Sequence, residues 1–201
     1  MKRLSILAVF SISSICLIQC GKTPQTHYYK IENPNFELPN TTPQFDIVVG
    51  VNKIIADPPY DQDRIIYQST ANEINFYHYQ RWITEPREML TESVISHLRK
   101  SSLFAGVIHL RDGQPFDYIL SGELIQFEEW DEQEQWYAQV KIWFELLSLK
   151  TRQTMWEGIT ESRIPIKKKK TIEVVRAINS AADQCIEQLI QQLSTSFKME
   201  N

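Results

Sequence analysis

Side chains that often do chemistry are present in this sequence, but their spacing forms no catalytic or metal-binding motif. The four histidines, His27, His78, His97 and His109, are scattered, and no H-E-x-x-H or C-x-x-C motif occurs. No G-x-S-x-G motif is present, and the six glycines form no phosphate-cradling loop. The acids at 128–134 lack the glycine and bidentate glutamate of an EF-hand loop. We therefore expect no enzyme, no metal and no cofactor apart from a covalent lipid.

That lipid is predicted by Cys20, which ends an apolar N-terminal run. A basic start, Met1 to Arg3, precedes roughly fourteen mostly apolar residues, whereas a helix that crosses a bilayer needs roughly twenty. The run therefore indicates an export signal rather than a permanent span. The residues before Cys20 resemble a bacterial lipobox, with Leu17 at minus three and with Gln19 standing where Gly, Ala or Ser is usual.

We predict a lipoprotein signal peptide at residues 1–19 and acylation of Cys20. Acyl chains at roughly 0.8 kcal/mol per buried methylene would hold the protein on a membrane surface. By analogy with other lipoproteins, Gly21 in place of an aspartate favours the outer membrane, with the domain facing the periplasm. The alternative is an unmodified Cys20 beside a plain signal peptide.

The composition predicts one exported globular domain with no nucleic-acid partner. The 201 residues are 42% hydrophobic and 23% charged, and losing Lys2 and Arg3 with the signal changes the formal charge from −4 to −6. An acidic body lacks the basic face that phosphate binding requires. Once Cys16 is removed and Cys20 acylated, Cys185 is the remaining thiol, and its place in a helical pattern predicts burial.

The pattern of apolar residues predicts an α+β fold with a mixed, mainly antiparallel sheet and two amphipathic helices packed on it. Residues 20–44, with four prolines, indicate a tether with at most one short strand at 27–31, and residues 45–197 indicate a single domain. Predicted strands and helices lie at 45–51, 64–68, 73–79, 86–101 (helix), 103–110, 118–125, 136–146, 154–163 and 171–197 (helix).

Two charged runs in this pattern are interpreted as solvated. The acidic stretch 128–134 is predicted to form the exposed end of a hairpin. Lys167 to Lys170 precede the last helix, where they would be solvated or would contact anionic lipid headgroups.

The segment PPYDQDRIIYQSTANEINFYHYQRWITEP, residues 58–86, resembles the ABC-type transport auxiliary lipoproteins. The similarity lies in Pro59-Tyr60, Asp63-Arg64, the strand Ile65 to Tyr67, Arg81-Trp82 and Glu85-Pro86. It continues in weaker form across 45–197. The spacing between Tyr60 and Arg64 is one residue longer than the family pattern.

This resemblance implies a non-enzymatic accessory subunit of a trans-envelope transport system. Its expected partners are an MCE-domain periplasmic protein and inner-membrane transporter components, and the expected cargo is phospholipid or another hydrophobic molecule. One alternative is a carrier whose own apolar pocket holds the lipid. Another is a purely structural envelope lipoprotein.

Candidate partner-binding residues lie within the resembling segment: Tyr60, Arg64, Tyr77, Tyr79, Arg81 and Trp82. Arg64 and Arg81 would pair with carboxylates of a partner, although Arg64 would equally hold the 57–64 loop through an acid or carbonyl of its own domain. Tyr60 and Trp82 would anchor an interface, with a core position as the alternative for Trp82.

Tyr77 and Tyr79 are predicted to share one strand face and to be half exposed. This would suit a partner surface or a self-association ring.

Overall fold

A single long strand organises the sheet in the computed structural model, which describes residues 24–32 and 42–200. The strands are β1 His27–Tyr29, β2 Phe45–Val51, β3 Ile55–Ala56, β4 Arg64–Thr70, β5 Glu73–Trp82, β6 Phe104–His109, β7 Tyr118–Glu132, β8 Gln135–Ser148 and β9 Thr154–Pro165. The helices are α1 Pro86–Ser101 and α2 Thr171–Glu200, with 3₁₀ turns at Pro58–Tyr60 and Leu110–Asp112. The predicted signal peptide, Cys20 and much of the predicted tether lie outside the described residues.

The long strand is β7, and its two edges are paired differently. Along one edge β8 runs antiparallel from Tyr118↔Ser148 to Glu132↔Gln135, and β9 follows antiparallel on β8, as the alternation predicted. Along the other edge β2, β3 and β4 pair with β7 in succession, all parallel. β6 then pairs with β2. On the other side of the sheet, β5 pairs with β4, and β1 pairs with β5. The α+β fold with a mixed sheet and two helices is therefore confirmed.

A β-bulge at Ile125 changes which side chains of β7 face inward. Leu124 pairs with Ile142, whereas Gln126 pairs with Lys141, so one residue of β7 has no partner on β8. The extra residue reverses the alternation of faces. Leu120 and Leu124 are buried before the bulge, and Phe127 is buried after it.

Both helices begin where their sequences predict, α1 also ends there, and α2 extends three residues beyond the predicted 197 to Glu200. Pro86 occupies the first turn of α1 after Glu85, and Ser102 ends the helix in a left-handed conformation with φ 54°. α2 contributes a continuous buried stripe: Val175, Ile178, Ala182, Cys185, Leu189, Leu193 and Phe197. α2 packs on β8 and β9, and α1 packs on β6 and against α2. The helices thus cover one face of the sheet.

At Glu161, the free edge of β9 is covered by a side chain of α2. The backbone N–H of Glu161 donates to Gln188 Oε1 at 3.2 Å, and Gln188 Nε2 donates to the Glu161 carbonyl at 3.0 Å. The amide therefore makes the two hydrogen bonds that another strand would make.

The core of the described chain extends from Ile31 to Phe197. Strand β1 lies on the sheet, and Ile31 just after it is 4% exposed, so this short segment packs on the domain although prolines surround it. A chain that begins at Gly21 keeps every one of these core residues. It is therefore expected to fold on its own.

Candidate functional site

The candidate segment begins with a tight turn that places Tyr60 inside the protein. Pro58 and Pro59 open a 3₁₀ turn in which the N–H of Tyr60 donates to the Asp57 carbonyl at 2.8 Å. Tyr60 is 6% exposed, and its hydroxyl donates to Glu128 Oε2 at 2.6 Å. This residue, predicted as an interface anchor, thus joins the 57–63 loop to β7.

Glu128 is buried, which corrects the prediction that 128–134 is a solvated hairpin end. Gln68 Nε2 on β4 also donates to Glu128 Oε2 at 2.6 Å. The other carboxyl oxygen, Oε1, is buried without a hydrogen-bond partner among the described residues. Burial raises the pKa of Glu128 despite the two donors, and burial together with Glu128 raises the pKa of Tyr60.

Glu129, on the next position of β7, is buried among a different set of side chains. Tyr77 on β5 donates its hydroxyl to Glu129 Oε2 at 2.7 Å, and its ring packs edge-on against Tyr67 with centroids 5.2 Å apart. Burial raises the pKa of Glu129 to about 7, although the Tyr77 hydrogen bond acts in the opposite sense. Glu132, Gln133 and Glu134 are exposed, so the solvated part is the last residue of β7 and the hairpin turn.

Two ion pairs hold the 57–64 loop, and neither involves Arg64. Arg81 Nη1 on β5 contacts both carboxylate oxygens of Asp63, at 2.7 and 3.0 Å. Arg87 Nε at the start of α1 lies 2.5 Å from Asp61 Oδ1. The internal role considered for Arg64 is thus performed by Arg81 and Arg87, whose side chains remain about one-third exposed.

Trp82 is a core residue, in agreement with the second interpretation of its position. It is 1% exposed, and its ring lies 5.3 Å from the ring of Phe127. The next residue, Ile83, is by contrast 66% exposed.

Arg64 and Tyr79 are the two candidates that lie on the surface. Arg64 is exposed, and its guanidinium lies 5.4 Å from the centroid of the Phe76 ring. Tyr79 is 45% exposed. Tyr77 is partly exposed, and its hydroxyl is turned to the buried Glu129. A side chain must be accessible to contact a partner, so Arg64 and Tyr79 are the most accessible of the predicted set, while Tyr77 and Arg81 are partly exposed.

Cys185 is inert by its surroundings, as expected. The thiol is free and fully buried, and it donates to the Val140 carbonyl at 3.5 Å. Burial raises its pKa to about 12.

Residues 24–32 and 42–200 contain no group of three His, Cys, Asp or Glu side chains placed to hold a metal ion. Neither of the two helices described above is apolar enough along its length to cross a membrane.

Two clefts on the described surface are open and have both polar and apolar lining. One of about 230 Å³ is lined by Gln126, Gln139, Val140, Glu161, Ser162 and Arg163. Another, of about 350 Å³, lies between β2, β6 and α1 and includes Lys53, Glu88 and His109. Lipid-binding pockets are usually enclosed and apolar. These clefts do not resemble such a pocket.

Sequence reasoning missed the two buried glutamates of β7. The signal was the spacing from Leu124 to Phe127, because a three-residue step between core positions of a strand indicates a bulge.

Comparison with known proteins identifies the family of this chain. Residues 29–190 match the family described as ABC-type transport auxiliary lipoprotein component. No curated protein matches the sequence. Among solved structures, the DUF330 protein XCC0632 from Xanthomonas campestris is 21% identical with a TM-score of 0.75, and the alignment covers 87% of this chain and 98% of that one.

The hypothetical protein CT253 from Chlamydia trachomatis is 6% identical with a TM-score of 0.52, over 75% of this chain and 96% of that one. At these identities the solved structures show the shared fold. The family match, by contrast, extends over most of the sequence. This chain therefore belongs to the family of ABC-type transport auxiliary lipoprotein components.

Proposed function

We propose that this protein is a lipid-anchored, non-enzymatic docking subunit of an MCE-type, ABC-linked lipid transport system. Family membership supplies the accessory role in transport. Acylation of Cys20 would place the protein on the outer membrane, facing the periplasm. The observation that carries the proposal is the family match over 29–190.

The docking role is favoured over the carrier role by how the core is filled. A carrier needs an enclosed apolar volume, but the space between sheet and helices is occupied by packed side chains such as Phe144, Leu146 and Ile186, each at most 1% exposed. The two open clefts described above are not enclosed and offer no substitute for such a volume. A docking subunit needs only an accessible surface.

The proposed contact surface is the exposed part of β4 and β5, represented by Arg64 and Tyr79. Tyr79 would supply aromatic contact area and Arg64 a fork of donors for carboxylates. Arg81 lies opposite Arg64 in the register and is already bonded to Asp63, so it would add its remaining donors. Tyr60 and Trp82 would support this surface from within.

The test is a pull-down from envelope membranes with the lipidated protein, in which bound proteins and extracted lipids are analysed from the same eluate. The variant Arg64→Glu with Tyr79→Ala removes the proposed contacts. The control, Leu149→Ala with Lys150→Glu, changes equally exposed residues of the β8–β9 turn.

An MCE-domain protein captured by wild type and control but lost by the Arg64/Tyr79 variant supports docking. Stoichiometric lipid without a protein partner rejects docking in favour of the carrier. The intact mass of the isolated protein shows independently whether Cys20 is acylated.

A further inference from the structure

Four consecutive lysines form the connection between β9 and α2. Lys167 to Lys170 are all exposed, and none forms an ion pair with an acid in the part of the chain that the structure describes. Lys169 Nζ donates to the Gln133 carbonyl at 3.2 Å and lies 4.9 Å from the centroid of the Trp136 ring. Cations at a helix N-terminus oppose the helix dipole. The tract therefore does not stabilise α2.

The tract lies at one end of the domain, which we call the anchor end. It is formed by the β4–β5 turn at 71–72, the β7–β8 turn at 133–134, the lysine tract and the first turn of α2. Gln68↔Trp130 and Tyr137↔Pro165 in the sheet register place these turns and the end of β9 together. The β8–β9 turn, with Lys150, lies at the opposite end because the meander is antiparallel.

The N-terminal chain reaches the domain from this same end. β1 is parallel to β5, which starts at the anchor end, so β1 runs away from that end. Asn179 Nδ2 donates to the Lys30 carbonyl at 3.5 Å. His27 pairs with Gln80, seven residues beyond Glu73 at the start of β5, so β1 begins about 23 Å from the anchor end along the sheet. The chain before His27 therefore leads back toward the anchor end.

The distance from the strand to the acylation site is short. Between His27 and Cys20 the chain can span at most about 25 Å. Extended toward the anchor end, this chain covers about the same 23 Å that separates His27 from that end, so a membrane that holds an acylated Cys20 can contact the anchor end.

The charge at this end suits an anionic surface although the whole body is acidic. Glu132 is paired with Arg163, which leaves Glu73 and Glu134 as exposed acids beside four lysines. Ile172 in the first turn of α2 is 42% exposed and adds an apolar contact. Lysines next to an apolar side chain are typical of membrane-surface contacts.

We infer that Lys167 to Lys170 bind anionic phospholipid headgroups, so that the tethered domain stands on its membrane through the anchor end. The inference rests on the proposed anchoring at Cys20 for its orientation. The lysine contact itself does not require acylation. It would restrict the freedom that the tether allows and turn the opposite end toward the transport partners.

The first test uses the chain from Gly21, which has no acyl group, with vesicles of phosphatidylethanolamine and phosphatidylglycerol. Lys167→Gln with Lys168→Gln is expected to weaken binding about 25-fold, at about fivefold per lysine. Neither residue's side chain makes a described contact within the fold. The matched control is Lys100→Gln with Lys150→Gln, two exposed lysines away from the anchor end.

Binding that requires phosphatidylglycerol, falls with added salt and is lost only in the Lys167/Lys168 variant supports the inference. Equal binding to phosphatidylcholine vesicles, no binding at all, or equal loss in both variants overturns it. Unchanged vesicle binding with lost capture of a protein partner also overturns it and assigns the tract to that partner.

A second test uses the lipidated full-length protein in bilayers, where the anchor holds wild type and variants alike. Amide exchange of residues 167–172 is expected to be slower in anionic than in zwitterionic bilayers. Equal exchange in both overturns the inference. If the intact mass instead shows no acyl group, the anchoring proposal fails while the vesicle result on the lysines stands.

Discussion

Replacing Glu129 by glutamine is expected to remove a pH dependence from the stability of the folded domain. The carboxyl is 1% exposed and accepts one hydrogen bond from Tyr77, and its burial raises its pKa from an ordinary 4.5 to about 7. Between these two values the unfolded chain has lost the proton while the folded chain keeps it. Unfolding therefore releases a proton and becomes more favourable as the pH rises.

The size of the effect follows from the two pKa values. At about 1.4 kcal/mol per pH unit, the free energy of unfolding falls by about 3 kcal/mol between pH 4.5 and pH 8, and by about 2 kcal/mol of this between pH 5.5 and pH 8. For a domain of this size, 2 kcal/mol corresponds to a Tm change of about 4–8 °C. Glu129→Gln keeps an acceptor for Tyr77 and cannot ionise. The part of the pH-dependent decrease in the free energy of unfolding that Glu129 causes is therefore absent in this variant.

The assay is urea unfolding of the chain from Gly21 at pH 5.5, 7 and 8, followed by tryptophan fluorescence. Glu128 and Asp183 also have raised pKa values, so the loss of stability from pH 5.5 to pH 8 is measured for both proteins and the loss of the variant is subtracted from that of wild type. Glu134→Gln, an exposed acid of the neighbouring turn, is the control. An equal loss of stability from pH 5.5 to pH 8 in wild type and Glu129→Gln would refute the reasoning.

Other predictions test the remaining buried groups. Tyr60→Phe removes a donor to buried Glu128 and is expected to lower the free energy of unfolding by about 1–2 kcal/mol in urea titrations; an unchanged midpoint contradicts the network. Trp82→Ala leaves a cavity beside Phe127 and is expected to lower the free energy of unfolding by about 3–5 kcal/mol in the same assay. A decrease below about 1 kcal/mol would contradict the burial of Trp82. Cys185, with its pKa raised to about 12, is expected not to react with thiol reagents at pH 8 until denaturant is added. Rapid labelling of the folded chain would contradict its burial.

The family resemblance selected a segment that is connected in the structure, but it did not predict which of its side chains are buried. Residues 58–86 do form a connected unit of loop, hairpin and helix start. Within it, Tyr60 and Trp82 face inward, Arg81 is bonded to Asp63, and Arg64 and Tyr79 are accessible. A dipeptide pattern does not show on which face of the sheet a side chain lies. That face depends on the strand register and on the irregularities in the pairing of β4 with β5.

Local periodicity in the sequence determined the helices and the β7–β9 meander. The steps of three and four residues from Val175 to Phe197 are possible on one helix face only, and the alternation of 136–146 fits only a strand. Adjacent antiparallel strands need little more than a short turn, so their pairing was also predictable. For the same reason the α+β class followed from the sequence.

Only the tertiary structure decided which polar residues are buried. Tyr60 lies 68 residues before Glu128. Strand β4 brings Gln68 to the same carboxylate, but β4 pairs in parallel with β7 and no short turn joins them, so the sequence gives no sign of this pairing. The stretch 128–134, in which six of seven residues are charged or polar, therefore looked solvated, although Glu128 and Glu129 are buried. Periodicity describes the faces of one element, whereas burial depends on which distant elements pack against those faces.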